Sequence, residues 1–575
     1  MQPLLSVRNL QIRFATEAGP VTAVQGVSFD VQPGEVVGIV GESGSGKSVS
    51  TLSLMGLLAA PPALPAGGEA IFQSKQFGQI DLLRAETGTI RSIRGKEIGM
   101  IFQEPMTSLN PVYTCGKQVA EVLLLHTNLS KKAAKQRVIE LFNEVELPRP
   151  EQIYDSYPHE ISGGQKQRVM IAMATACSPQ LLIADEPTTA LDVTVQARVL
   201  KLMDKMRQQH QMAMLFITHD LGVVAEIAHR VIVMYKGQIV EQGPVEQVFH
   251  HPQHPYTKGL LACRPTLSTP KGPLLTVADF MNTAGEVISL ETDRLRPAKN
   301  SASEPNQSIN QPQEKPLIIV DNLQVHFPVR TGFFGRTSQW VKAVDGVSFN
   351  IKHGETVGLV GESGCGKTTL GRTLLRLVEP TGGNIIFDGQ ELKKIPAEEL
   401  RKMRQAFQLI FQDPYASLNP RHTIGQSILE PMQVHRQLAG NKERRDRVYE
   451  LLETVGLQAA HYHRYPHEFS GGQRQRISIA RALGLNPRFL ICDESVSALD
   501  VSVQAQVLNL LNKLKADFGL TLLFITHDLA VAKYMSDRLI VMNKGKIEEM
   551  GNAEEIYRQP QMEYTKRLIA AVPGR

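Results

Sequence analysis

Cysteine is scarce in this chain: five among 575 residues, at positions 115, 177, 263, 365 and 492, with no Cys-x-x-Cys spacing. That leaves no disulfide framework or zinc module for a fold to rest on, and it suits a reducing compartment. No run of about 18 apolar residues occurs, so no segment is expected to span a bilayer. The opening stretch, Met1 to Arg8, lacks the apolar core of a signal peptide. A dominant charge is missing too: 62 Lys and Arg against 57 Asp and Glu leave a net +5, too mild to demand an acidic partner such as nucleic acid. What is present is an ordinary globular balance, 42% hydrophobic and 21% charged. Any membrane role is therefore expected to run through partners.

The chain repeats itself. Gly41-Glu42-Ser43-Gly44-Ser45-Gly46-Lys47-Ser48 returns as Gly361-Glu362-Ser363-Gly364-Cys365-Gly366-Lys367-Thr368. Ser162-Gly163-Gly164-Gln165 returns as Ser470-Gly471-Gly472-Gln473, Asp185-Glu186 as Asp493-Glu494, and His219 as His527. The offset is 320 residues between the lysines and 308 between the acidic pairs, so the first copy has an insertion, placed at residues 59–89. A length of 575 divides into two domains of ordinary size. The boundaries read as domain one at 1–275, a linker at 276–316 and domain two at 317–575. The polar, Pro-rich stretch Arg294 to Pro316 is the clearest part of that linker.

Short apolar runs before each motif (Val36–Val40, Leu181–Ala184, Met214–Ile217) predict buried strands of a parallel sheet. The run 232–240 predicts two strands around a Lys-Gly turn, and 118–146 a helical block. A Gly-x-x-x-x-Gly-Lys-Ser/Thr loop between a strand and a helix is the context that makes a P-loop. Its glycines let backbone N–H groups curl around phosphate oxygens at a helix N-terminus. Lys47 and Lys367 then neutralise the outer phosphates, and Ser48 and Thr368 offer hydroxyls to Mg²⁺. Asp185 and Asp493 end apolar strands beside that loop and hold Mg²⁺ through its water shell. Glu186 and Glu494 are candidates for orienting or deprotonating the attacking water. Ser-Gly-Gly at 162–164 and 470–472 makes a second phosphate-binding nest at a helix start, although such a motif alone reads as a helix cap.

Together with Gln103, Gln412 and the Ala-Leu-Asp segments at Asp192 and Asp500, these motifs resemble two ATP-binding-cassette (ABC) ATPase domains over nearly the whole chain. The resemblance implies an α/β fold of two P-loop cassettes, each a mixed sheet core with an inserted helical subdomain, pairing head to tail. ATP would bind through Gly41, Ser43, Gly44, Gly46, Lys47 and Ser48 with Ser470, Gly471 and Gly472 opposite. Gly361, Ser363, Gly364, Gly366, Lys367 and Thr368 would face Ser162, Gly163 and Gly164. Glu186, Glu494, His219 and His527 would be catalytic, and Ser48, Gln103, Asp185, Thr368, Gln412 and Asp493 would hold Mg²⁺. Phe14 and Phe327 stand where the family stacks an aromatic ring on adenine; core packing is the competing use of both, and Trp340 competes with Phe327. Cys365 in the second P-loop is either oxidation-sensitive or a tolerated small residue, and Ser495 replaces the proline found at Pro187.

Finer features resemble the branch that imports dipeptides, oligopeptides and glutathione: the segments 102–111 and 411–420, the run 190–196, the Tyr-Pro-His-Glu sequences at 157–160 and 465–468, and the Pro-Tyr-Thr-type tails. The partners implied are two multi-spanning permeases and an extracytoplasmic solute-binding protein, with no nucleic acid. The expected place is peripheral, on the cytoplasmic face of a bacterial inner membrane. With only Cys263 near the first tail, no iron–sulfur cluster is expected. The rivals are a tandem ATPase acting on ribosomes, for which the polar linker lacks a charged helical arm, and a DNA-repair cassette, whose zinc modules five scattered cysteines cannot supply.

Overall fold

The computed structural model describes residues 2–16, 19–103, 108–188, 191–281, 315–331, 336–497 and 499–572, with backbone alone over 329–331 and 336–339. Most of the predicted linker, and residues 104–107 of the 102–111 segment, lie outside these.

The first copy holds two sheets. An antiparallel sheet of order β2-β1-β4-β5 is formed by β1 (Leu5–Thr16), β2 (Gly19–Val31), β4 (Gly67–Ser74) and β5 (Gly78–Asp81). A six-stranded sheet contains β3 (Val36–Val40), β6 (Ile98–Ile101), β7 (Leu181–Asp185), β8 (Ala213–Ile217), β9 (Arg230–Tyr235) and β10 (Gln238–Pro244), ordered β10-β9-β3-β8-β7-β6. β3, β7 and β8 are buried at every residue, which is why they read as continuous apolar runs without alternation. The Lys236-Gly237 turn between β9 and β10 has both residues at positive φ (46° and 80°), as a two-residue hairpin requires.

The second copy repeats this. β11 (Pro316–Thr331), β12 (Arg336–Lys352), β14 (Gly382–Phe387) and β15 (Gln390–Glu391) make the antiparallel sheet. β13 (Thr356–Val360), β16 (Phe407–Ile410), β17 (Phe489–Asp493), β18 (Thr521–Ile525), β19 (Arg538–Asn543) and β20 (Lys546–Asn552) follow the order β16-β17-β18-β13-β19-β20. Since β14 and β15 answer β4 and β5, the extra residues of the first copy lengthen connections around a shared hairpin.

The helical block of the first copy is Cys115–His126 and Lys131–Glu144, packed against the helix Gly163–Thr175. Ser130 caps the second of these, accepting from Ala133 N–H at 3.3 Å. Val119, Val138, Phe142 and Met170 fill the space between them and are wholly buried or nearly so.

One boundary differs from the sequence reading. Residues 276–281, assigned above to the linker, belong to the packed body. Thr276 and Asp279 close a capping box over the turn Val277–Phe280, and Phe280 and Met281 join the core around Tyr256 and Leu260. The chain just before them forms a strap across the second copy. Leu274 exchanges two hydrogen bonds of 2.8 Å with the Asn509 side-chain amide. Tyr534 donates to Gly272 O at 2.6 Å, Lys533 donates to Leu267 O, and Lys271 pairs with Asp537 at 3.1 Å. Leu274 and Cys263 are buried in the core of the second copy's helical half. Nothing in the run Ser268 to Pro273 announces this strap, because most of its anchors are backbone groups.

Candidate functional site

The sheet order places the motifs together. β8 lies between β3 and β7, with Ile217 opposite both Ile39 and Asp185, so the P-loop, the acidic pair and His219 all leave the sheet at one edge. Ligands bind at such carboxyl ends of parallel strands. β13, β17 and β18 bring the second set together in the same register.

In each P-loop the lysine is buried and folds back on its own loop. Lys47 Nζ donates to Gly41 O at 2.7 Å and to Glu42 O at 2.9 Å; Lys367 Nζ donates to Gly361 O at 2.7 Å and Glu362 O at 3.0 Å. The last glycine is obligatory on steric grounds. Gly366 has φ 107°, and a Cβ there would lie 2.0 Å from Ala343 O; Gly46 has φ 97° and would meet Ala23 O at 2.8 Å. Burial lowers the Lys47 ammonium below its ordinary range, while Asp500, Glu186, Asp185 and Glu42 pull it back up.

Ser48 Oγ donates to Asp185 Oδ1 at 2.9 Å, and Thr368 Oγ1 to Asp493 Oδ1 at 3.0 Å. Burial pushes Asp185 up to about 6; the Ser48 hydroxyl opposes this and Glu186 adds to it. Asp493 is raised by burial first as well. A strand-end carboxylate raised by burial, with a hydroxyl donating to it, is the oxygen chemistry that Mg²⁺ takes. Mg²⁺ therefore fits these residues.

The glutamates after the aspartates are strained. Glu186 has φ 48° and Glu494 φ 45°, a left-handed conformation uncommon outside glycine and concentrated at functional sites. Each is held there by its own N–H, which donates to the last residue of the neighbouring strand: Glu186 to Ile217 O and Glu494 to Ile525 O, both at 2.9 Å. The side chains are turned toward the histidines, with His219 Nδ1 3.4 Å from Glu186 Oε2 and His527 Nδ1 3.4 Å from Glu494 Oε2. Burial lowers both imidazoles, but the facing glutamates outweigh it and the net shift is upward. Burial likewise raises Glu494, and the His527 hydrogen bond and charge turn the net shift downward. Lys367, Thr368, Gln412, Glu494 and His527 line one cavity of about 450 Å³.

The copies meet across a seam, each P-loop facing the segment that follows the other's acidic pair. Asp500 Oδ1 accepts from Ser43 N–H at 3.0 Å and Ser43 Oγ at 3.1 Å. Ser363 N–H reaches Asp192 Oδ2 at 3.4 Å. His219 and His527 line a common cavity of about 100 Å³ at the seam.

Other expectations come out differently. Ser162 and Ser470 each close a capping box with Gln165 and Gln473 at the start of their own helices. Among the described residues, side chains that bond the P-loops from across the seam include those of Asp192, Thr194 and Asp500, which the sequence reading gave no such role. The repeated Asp-x-Thr/Ser at a helix start was the signal available. Phe14 is half-buried against the core of its own copy. Phe327 is exposed, and the cavity over the second P-loop is lined by Val341 on the paired strand instead. Gln103 lies exposed just past β6. Cys365 is buried and its thiol raised, chiefly by burial.

Two P-loops, each with a strand-end aspartate, a strained glutamate and a facing histidine, define an ATP-binding-cassette ATPase. The chain belongs to that family: residues 24–189 and 344–497 match the family described as ABC transporter. Residues 240–284, which include the strap, match the oligopeptide/dipeptide transporter C-terminal region. The chain is 50% identical over 570 residues to the glutathione import ATP-binding protein GsiA of Escherichia coli, a match covering 99% of this chain and 89% of that one. The protein of the same name from Shigella flexneri matches with the same identity and coverage. A solved ATP-binding cassette, a dimer in a post-hydrolysis state bound to ADP and Pi, aligns at 30% identity over 41% of this chain and 98% of its own, with TM-score 0.37.

Proposed function

We propose that the chain is the ATP-hydrolysing, energy-coupling subunit of an importer for glutathione or small peptides. The observation that carries the ATPase part is the convergence of Lys367, Thr368, Gln412, Glu494 and His527 on one cavity, with the equivalent residues paired alike in the first copy. The substrate class follows from whole-length likeness to the glutathione import ATP-binding proteins.

In this reading Lys47 and Lys367 bind the outer phosphates, with the loop N–H groups of Gly44, Gly46, Gly364 and Gly366 around them. Ser48, Asp185 and Gln103 would hold Mg²⁺ in one site and Thr368, Asp493 and Gln412 in the other, and the ion bound there would supply positive charge beside the phosphates. Glu186 and Glu494 orient the attacking water and receive its proton, and the left-handed backbone aims each carboxylate at that water. His219 and His527 hold the glutamates in place. The nests at Ser162 and Ser470 complete the opposite sites when the seam tightens around nucleotide. Binding thus favours the closed pairing, and loss of the γ-phosphate contacts permits reopening.

No helix among the described residues is long and apolar enough to cross a membrane. Motion of the cassettes would therefore reach the membrane through two multi-spanning permeases, served by an extracytoplasmic solute-binding protein, with this chain on the cytoplasmic face of a bacterial inner membrane. No observation favours the ribosome-acting alternative. Affinity purification of the tagged chain from gently solubilised membranes tests the reading. Two multi-spanning proteins in stoichiometric amounts, and glutathione- or peptide-stimulated ATP hydrolysis in the recovered complex, are expected. Ribosomal proteins without membrane proteins would refute it.

A further inference from the structure

Each P-loop carries a glutamate, Glu42 or Glu362, whose side chain the phosphate chemistry above leaves unused. Both reach across the seam. Glu362 Oε1 accepts from Thr194 Oγ1 at 2.8 Å, and the Ser502 hydroxyl lies near enough to the Glu42 carboxyl to oppose the upward push of burial. Thr194 and Ser502 are equivalent, each two residues beyond the seam aspartate, in the first turn of the helices Val193–His210 and Val501–Phe518. A hydroxyl residue thus faces each P-loop glutamate from the equivalent place, bonded to it at Glu362 and close to it at Glu42.

Thr194 shows how the pairing can respond to approach of the cassettes. Its hydroxyl lies 2.8 Å from Glu362 Oε1 across the seam and 2.8 Å from Asp192 Oδ1 in its own turn. One hydroxyl carries one proton and can donate to one of these at a time. Asp192 Oδ1 already accepts from Val195 N–H at 2.9 Å, so the proton is free to serve Glu362. Were the cassettes to separate, Asp192 Oδ1 would still accept that proton and no donor would be orphaned, so the bond can act as a two-position device. Its other end is the P-loop itself. Glu362 O accepts from Lys367 Nζ, and Glu362 N–H donates to Tyr564 OH at 3.1 Å, so the residue that grips the opposite helix also sets the lysine's anchor. Glu42 does the same through Lys47 and Tyr256. The Glu42 carboxyl is pushed up by burial, against the Ser502 hydroxyl, as expected of a partly desolvated acid with few partners.

We propose that Glu362 with Thr194, and Glu42 with Ser502, are positioning pairs that couple closure of the seam to placement of the P-loop lysines during hydrolysis. The proposal rests on the ATPase reading and adds two carboxylates and two hydroxyls to its machinery.

Steady-state ATP hydrolysis by the purified full chain tests it, with both pairs altered together so that one intact site cannot mask the other. A Thr194→Val, Ser502→Ala variant and a Glu42→Ala, Glu362→Ala variant should each lose roughly tenfold in kcat, the scale of one hydrogen bond to a charged group. KM should stay within about twofold, because the pairs act on alignment and not on nucleotide affinity. Combining all four changes should cost no more than either pair alone, as partners in one interaction require. Thr194→Ser with Ser502→Thr, which keeps both hydroxyls, should retain parental kcat. Unchanged kcat in the hydroxyl variant, additive losses in the fourfold variant, or failure of the hydroxyl-preserving exchange would each overturn the proposal. A parent chain that hydrolyses no ATP would instead remove the reading beneath it.

Discussion

Gln412 donates its side-chain amide to Glu494 Oε2 at 2.8 Å, the same oxygen that lies 3.4 Å from His527 Nδ1. One carboxylate is thus held from two sides, by a residue at the end of β16 and another beyond β18. Its backbone is pinned in a left-handed conformation by a third contact, to Ile525 O. Three constraints on one side chain are the arrangement expected where a group must be aimed and not merely present.

If Glu186 and Glu494 serve the attacking water, replacing both by Gln removes the base while leaving the phosphate cradle intact. ATP hydrolysis should fall by roughly 100-fold or more, the range of general-base contributions, with ATP affinity close to parental. Paired turnover and nucleotide-binding titrations check this. Full turnover in the double variant would refute the assignment.

Gly366→Ala places a Cβ 2.0 Å from Ala343 O and forces alanine to φ 107°. The clash is hard to relieve, since β12, which carries Ala343, and the helix Lys367–Leu374 that Gly366 caps pack on one core. ATP affinity should drop by tenfold or more, on the order of 1–3 kcal/mol of local strain, while Gly364→Ala, where the added Cβ meets open space, should lose less. Equilibrium binding of a fluorescent ATP analogue to each variant distinguishes them.

The strap predicts an effect far from any phosphate. Leu274→Ala empties a buried place in the second cassette's core and should destabilise it by about 2–4 kcal/mol, as buried Leu truncations do. Asn509→Ala leaves Leu274 N–H and C=O without their partners and should destabilise by about 1–3 kcal/mol. Because Leu274 and Asn509 touch, the losses should not add. Denaturant unfolding of the singles and the double measures the coupling.

Asp537 gives a pH signature. Burial raises its carboxyl, yet Lys515, the Thr356 N–H and Lys271 outweigh this and leave the net shift downward. A carboxyl depressed in the folded state contributes stability above its unfolded pKa, about 3.9, and loses it as pH falls through the lower folded value. The difference in Tm between the parent and Asp537→Asn should therefore be constant near neutrality and shrink below about pH 4. Melting curves across that range check it, and a difference that grows on acidification would be the wrong sign.

The P-loops, Asp185, Glu186, His219 and their second-copy counterparts were legible because each motif is a short segment whose chemistry follows from its own residues and from the strand before it. Apolar runs such as Val36–Val40 and Leu181–Ala184 announced buried parallel strands. The ring at Phe14 was not legible in the same way: an aromatic suits a nucleotide base or a core equally well, and only packing decided that it rests against its own core. Ser162 and Ser470 share that ambiguity between nest and cap, and in this arrangement of the seam they serve as caps.

The duplicated motifs, read alone, determined the family and the two-cassette plan, because those are properties of contiguous sequence repeated in order. Only the tertiary structure decided what lies between the copies. The bond from Ser43 to Asp500 joins residues 457 apart, and that from Thr194 to Glu362 residues 168 apart. The strap's hold on Asn509 runs largely through its own backbone. Such contacts depend on how the two copies are set against each other, and hydrophobic periodicity and local motif spacing carry no information about that placement.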